Sequence, residues 1–79
     1  MEIKVLGPGC KNCKNLEVAV RKTLEDLGVE ASVEKVESPR KIVELGVMTT
    51  PGLIINGKIK STGRVPKNED IAKWIKEEI

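Results

Sequence analysis

The sequence predicts an α/β fold ordered β-α-β-α-β-β-α, with a mixed four-stranded sheet and helices on both of its faces. Three observations carry this expectation. Apolar residues recur at helical spacing between Lys11 and Leu27, and again after Asn68. A β-prone run stands on either side of the first helix. Asn56-Gly57 separates Leu53-Ile54-Ile55 from Lys58-Ile59-Lys60, and Asn-Gly between two such runs is the strongest short-range hairpin signal.

Residues 2–6, EIKVL, read as the first strand and stop at Gly7-Pro8-Gly9. The first helix spans Lys11 to Leu27, with Leu16, Ala19, Val20, Leu24 and Leu27 on one face and Gly28 as its stop. Residues 30–36, EASVEKV, alternate loosely and give a second strand. Ser38-Pro39 opens a short helix, with Ser38 as N-cap and Pro39 at its first position; it ends near Leu45, before Gly46. After the hairpin a loop runs through Gly63 and Pro66. The last helix covers roughly Asn68 to Glu78. Ile71, Trp74, Ile75 and Ile79 are expected to make its buried stripe, and Glu69-Asp70 suit its N-terminal dipole. A strand–helix–strand start followed by a hairpin gives a mixed sheet, with a right-handed first crossover. There is no repeat, linker or low-complexity stretch, so residues 1–79 read as one domain.

Composition narrows the function classes. Phe and Tyr are absent and Trp74 is the sole aromatic, so Leu, Ile and Val must form a thin core. The net charge of +2, with both signs interleaved and nothing to stack on bases, argues against a nucleic-acid partner. No apolar run approaches the ~20 residues needed to cross a bilayer, so no membrane partner is expected. MEIKVLGPGC has no basic segment followed by an apolar stretch, so a signal peptide is not expected and a cytoplasmic location is. Lys and Glu are abundant while Gln and His are missing, which leans towards a thermophilic source. A monomer is the default expectation.

The chemistry is concentrated in Gly9-Cys10-Lys11-Asn12-Cys13, where the first loop becomes the first helix. Residues three apart at a helix start are close enough for a disulfide to close with little movement. Cys10 falls at the N-terminal end, where unpaired N–H groups and the dipole stabilise a thiolate. Such a site lowers a thiol pKa from about 8.5 into the range of roughly 3.5–7.5. On a helical wheel Cys13 lies about 60° from Leu16 on the buried side, and Cys10 about 120° round, nearer the rim. Cys10 is therefore expected to be the exposed attacking thiolate and Cys13 the protected resolving thiol.

A Cys-x-x-Cys beside a βαβ pattern reads as a redox motif. A structural disulfide and a two-cysteine soft-metal site are the other readings of the same pair. Heavy-metal-associated domains share the Cys-x-x-Cys, the amphipathic helix and a following Gly-Val, here Gly28-Val29. They usually carry a Met two residues before the first Cys, where this chain has Pro8, and they end in a strand.

A second segment, Met48-Thr49-Thr50-Pro51-Gly52-Leu53-Ile54-Ile55-Asn56-Gly57, resembles the cis-proline segment of thioredoxins and glutaredoxins. The whole chain is similar to the smallest redox-active disulfide proteins of that superfamily. The resemblance implies a minimal thioredoxin fold, a cis Thr50-Pro51 bond and a proline loop packed beside the cysteines. It implies a thiol–disulfide oxidoreductase with Cys10 and Cys13 as catalytic residues, needing neither a metal nor an organic cofactor. The backbone of Thr50 would offer an N–H and a C=O to an extended substrate, and the Pro51 ring would stand where a metal ligand might otherwise sit. From the residues alone, a trans proline that opens a strand is the other reading. Partners so implied are a disulfide-containing protein or small molecule as substrate, and a thioredoxin-reductase-like protein or a thiol as reductant.

Three positions depart from the familiar patterns: Gly9 replaces the Trp of thioredoxins, Lys4 stands about where many carry an acid, and Lys60-Ser61-Thr62-Gly63 replaces the Gly-Gly turn of glutaredoxins. A protein reductase is thus at least as well supported as glutathione. Gly9, with Pro8, shapes the approach to Cys10. Lys11 and Lys14 either tune Cys10 and dock an acidic partner or are simply solvated. Lys4 reads as an edge or surface residue, with a place under the active site as the alternative. Trp74 reads as packing, and Gly63 as a turn or part of a substrate groove.

Overall fold

The computed structural model describes residues 1–79. Its elements are β1 (Glu2–Leu6), α1 (Lys11–Leu27), β2 (Ser32–Val36), α2 (Pro39–Glu44), β3 (Gly52–Ile55), β4 (Lys58–Thr62) and α3 (Asn68–Glu77). The sheet order is β2-β1-β3-β4. The crossover through α1 returns the chain in the same direction, so β1 and β2 pair in parallel, from Glu2↔Ser32 to Leu6↔Val36. β3 runs antiparallel to both β1 and β4. The expected α/β architecture, a minimal thioredoxin fold, is what forms.

Alternation along the central strands sorts side chains to two layers. Ile3, Val5, Leu53 and Ile55 meet Leu16, Val20 and Leu24 of α1 and Ile71 and Ile75 of α3. Leu6, Val36 and Ile54 face the other way, against Ile42 of α2 and Val47. At about 1.5–3 kcal/mol for each aliphatic side chain fully buried, the larger cluster is what anchors α1 to the sheet.

The hairpin turn places Asn56 at φ 50° and Gly57 at φ 79°, the pair of left-handed residues that a two-residue type I′ turn requires. Asn56 also ties the turn to β1: its Oδ1 accepts the Glu2 N–H at 3.0 Å, and its own N–H donates to the Glu2 carbonyl at 2.8 Å. The register of β3 with β4 slips between Leu53 and Ile54, leaving Lys60 as the extra residue. Beside it the Ser61 hydroxyl is buried without a hydrogen-bond partner.

Several local expectations are corrected. β2 begins at Ser32 rather than at residue 30, because β1 offers only five residues to pair with. Ser38 occupies the N-cap position of α2, but its hydroxyl caps nothing; its carbonyl accepts the Ile42 N–H at 3.0 Å instead. α3 stops at Glu77, so Ile79 leaves the apolar stripe and is 79% exposed. Trp74 is half-buried at the margin of the larger cluster. Thr23 is buried, with its hydroxyl donating to the Ala19 carbonyl at 2.7 Å, which lets a polar residue join the apolar face of α1. Lys4 is not on an edge: β1 is an inner strand, and Lys4 is half-buried on the α2 side, lining a small cavity with Glu34, Lys41 and Glu44.

The bulge has an electrostatic consequence. Lys58 and Lys60 both reach Glu78 Oε2, at 3.3 and 3.0 Å. The Lys60 and Glu78 side chains are only 12% and 9% exposed, so this pair is shielded as a surface ion pair is not. The Lys60 hydrogen bond holds the Glu78 carboxyl below its ordinary value of 4.5, and the Glu78 hydrogen bond raises Lys60 above 10.5. The Glu78 contribution is therefore complete above about pH 4.5 and disappears as pH falls through its lowered value. The Lys60 contribution disappears only as pH rises past its raised value. In melts across pH, Glu78→Gln is expected to be less stable than the parent at about pH 7, with the gap closing in acid below about pH 4. A gap that is the same at both pH values would contradict this. No helix is long and apolar enough to cross a membrane.

Candidate active site at the start of the first helix

The chain leaves the centre of the sheet through Gly7-Pro8-Gly9 and enters α1. The Gly7 N–H donates to the Val36 carbonyl at 2.8 Å, extending the β1–β2 pairing by one residue. Gly9 sits at φ 88°, a left-handed conformation that glycine adopts without penalty and that turns the chain into the helix. Cys10 is the N-cap of α1, with φ −67° and ψ 166°. Its Sγ accepts the Cys13 N–H at 3.2 Å, and its carbonyl accepts the Lys14 N–H at 3.0 Å.

Cys10 and Cys13 are joined as a disulfide with a Cα–Cα separation of 5.0 Å, inside the usual range. Cys10 is exposed, whereas Cys13 is 5% exposed, on the same side of the helix as Leu16. The N–H that meets the Cys10 sulfur is one of those left over at a helix start, and a thiolate in the same position would meet the same donor and the same dipole. Lys11 and Lys14 are exposed and in no ion pair, so their charge is free to act on Cys10 or on a partner.

The Thr50-Pro51 peptide is cis. Register brings this bond to the cysteines. Leu6 pairs with Gly52, so the residues just beyond, Gly7 and Pro51, face each other across the end of the sheet. Both fall on the α1 side by alternation, and Gly7 is packed against the Cys13 side chain. Pro51 is buried, and its carbonyl accepts the Gly63 N–H at 2.8 Å. Thr50 is exposed, and neither its N–H nor its C=O makes a hydrogen bond within the chain.

The structure thus brings Gly9, Cys10, Lys11 and Cys13 together on one loop–helix junction and sets the Thr50-Pro51 loop across from it. It adds Gly63, whose position the sequence left open, beside Thr49 and Pro51. It also adds Glu37, which sequence reasoning missed. A Cβ placed on Gly9 would lie 3.8 Å from Glu37 Oε2, so this is a carboxylate close to the approach to Cys10. Only the parallel register that ends at Leu6↔Val36 delivers it there. Lys4 and Trp74 are not part of the site. Nor is a metal cage built around the sulfurs: no three His, Cys, Asp or Glu side chains are grouped to hold an ion.

A helix-start cysteine pair facing a cis-proline suits thiol–disulfide exchange, and comparison with known proteins agrees. Residues 1–76 match a thioredoxin domain. The chain belongs to the thioredoxin family. A thioredoxin of Methanothermobacter thermautotrophicus is 40% identical over 73 residues, covering 92% of this chain and 95% of that one. A thioredoxin of Methanocaldococcus jannaschii is 34% identical over 74 residues, covering 94% and 85%. A further thioredoxin of the same organism is 28% identical over 76 residues. These relatives come from thermophilic archaea, in keeping with the Lys- and Glu-rich composition. Membership makes the chain, in general terms, a thiol–disulfide oxidoreductase, acting on disulfides and drawing on a reductase.

Proposed function

We propose that this thioredoxin is a dithiol electron relay in which Cys10 is the nucleophile and Cys13 the resolving residue. The Cys10 thiolate attacks one sulfur of a substrate disulfide; that S–S bond breaks, one substrate thiolate leaves and a mixed disulfide forms. The Cys13 thiolate then attacks Cys10 Sγ, releasing the second substrate thiol and closing Cys10–Cys13. Two electrons and two protons have passed to the substrate, and a reductase or a thiol returns them.

The observation that carries this reading is the asymmetry of the pair: an exposed sulfur at a helix N-terminus with a buried one behind it. The remaining residues fit a substrate lying along the cis-proline loop. Thr50 presents an unused N–H and C=O, as strand addition needs. Pro51 closes the space opposite Gly7, Gly9 keeps the approach to Cys10 free of a side chain, and Lys11 offers a charge to the thiolate or to an acidic group on the substrate. The direct test is turnover: catalytic amounts of the protein, with dithiothreitol as donor, should reduce a peptide disulfide well above the background rate. A rate equal to background would remove the proposal.

Pro51→Ala removes the ring and adds an N–H donor beside the sulfurs. It is expected to slow exchange by about ten- to a hundredfold, the scale of a misplaced reacting group, or to let zinc settle between the cysteines. Stopped-flow rates and zinc content check this. A parental rate with no zinc uptake would contradict the role given to Pro51.

A further inference from the structure

Gly7 and Gly9 flank the same proline, but they are glycines for different reasons. Gly9 is needed for its backbone, at φ 88°, while Gly7 is not among the residues of positive φ. What Gly7 lacks room for is a side chain. A Cβ built on it would overlap Cys13 Sγ, lie 2.8 Å from Cys13 Cβ and 3.9 Å from Cys13 Cα. Each of these contacts is with one residue, Cys13, in its disulfide-bonded orientation. The Gly7 backbone has no freedom to retreat, because its N–H is held by the Val36 carbonyl at 2.8 Å and it follows directly on β1.

We propose that Gly7 is a positioning residue that sets the balance between the disulfide and dithiol forms of the Cys10–Cys13 pair. This rests on the exchange reaction proposed above. In the disulfide, Cys13 Sγ is bonded to Cys10 and cannot turn away from residue 7. In the dithiol, the Cys13 side chain is free to change rotamer about its Cα–Cβ bond. A methyl group at residue 7 meets Sγ in the first state and can be avoided by Sγ in the second. The contact with Cβ is common to both states and cancels in their difference. Gly7 therefore favours the closed pair, and filling its place makes the pair a stronger oxidant. The balanced reaction is the closed pair plus two buffer thiols giving the open pair plus one buffer disulfide, with two electrons and two protons passing to Cys10 and Cys13.

The experiment equilibrates the parent, Gly7→Ala and Ile75→Val in glutathione buffers of graded ratio and counts alkylated cysteines by mass. The parent must first show a reversible two-electron transition; its absence refutes the exchange reaction itself, whatever Gly7 does. Given that transition, Gly7→Ala is expected to shift the equilibrium constant at least tenfold towards the dithiol, about 30 mV. Ile75→Val thins the core of α3 without touching the pair, so it reports how far a purely structural loss moves the constant; less than a twofold shift is expected. A Gly7→Ala shift no larger than that of Ile75→Val, or one towards the disulfide, overturns the proposal. Should Gly7→Ala fail to fold, its folding in excess dithiothreitol decides. Recovery of the fold with the pair reduced supports the proposal, and equal failure with the pair open or closed overturns the assignment of the deciding contact to Sγ.

Discussion

Cys10→Ser is expected to bring disulfide exchange down to the uncatalysed rate, while Cys13→Ser is expected to stop after one step with substrate held as a mixed disulfide. The two substitutions are chemically identical and three residues apart, so different outcomes have to come from position. A serine at residue 10 puts a hydroxyl where the exposed sulfur stood. The helix-start N–H and dipole that favour a thiolate do not make a hydroxyl ionise near neutral pH, and the loss should be on the order of a thousandfold or more, as for nucleophiles elsewhere. A serine at residue 13 leaves Cys10 able to attack. What it removes is the buried second sulfur, 5% exposed, that alone is placed to displace the substrate. Intact-mass measurement of each variant after mixing with a peptide disulfide distinguishes them: an unmodified Cys10→Ser, and a Cys13→Ser carrying one peptide. Equal behaviour of the two variants would remove the assigned roles.

The second large effect is on stability. Leu16 is fully buried one turn after Cys13 and belongs to the cluster that fastens α1 to the sheet. Leu16→Ala is expected to cost about 2–5 kcal/mol through lost burial and the cavity left behind. A 79-residue chain has roughly 4–12 kcal/mol to lose at the usual stability per residue. The melting temperature should fall by about 10–30 °C at this chain length. Val18→Ala, on the exposed face of the same helix at 65% exposure, should move it by far less. Similar losses for the two would mean that α1 is not held by this cluster.

The boundaries of β1 and α1 could be read directly from the chain, and for a shared reason. Each is set by local signals: a β-prone run ended by Gly7-Pro8-Gly9, and a helical period ended by Gly28, which takes φ 66° and donates its N–H to the Leu24 and Glu25 carbonyls. The exposure of Cys10 and burial of Cys13 were legible too, since a helical wheel needs only the helix and its apolar face. The cis state of Thr50-Pro51 was legible only through likeness to a family, because X-Pro bonds are cis in only about 5–6% of folded cases.

What escaped local reading depends on which strands come together. Lys4 looked peripheral because a charged residue in a strand usually is, yet β1 is an inner strand. Glu37 reaches the neighbourhood of Gly9 only because β2 pairs in parallel with β1 to its end. The bulge at Lys60, which lets two lysines share Glu78, follows from a register slip that alternation along β4 does not announce. Thr23 lies outside the apolar set that spacing picks out on α1, yet a hydroxyl bonded to its own helix buries readily.

The proposed relay requires Cys10 and Cys13 to form a reversible two-electron couple. The most direct measurement is its reduction potential, taken by equilibrating the protein in thiol/disulfide buffers and counting alkylated cysteines by mass. A single reversible transition between about −180 and −300 mV is the expected result, and its position would say whether the protein passes electrons out or takes them in. A pair that never closes, or closes only after a chelator has stripped metal from it, would contradict the account.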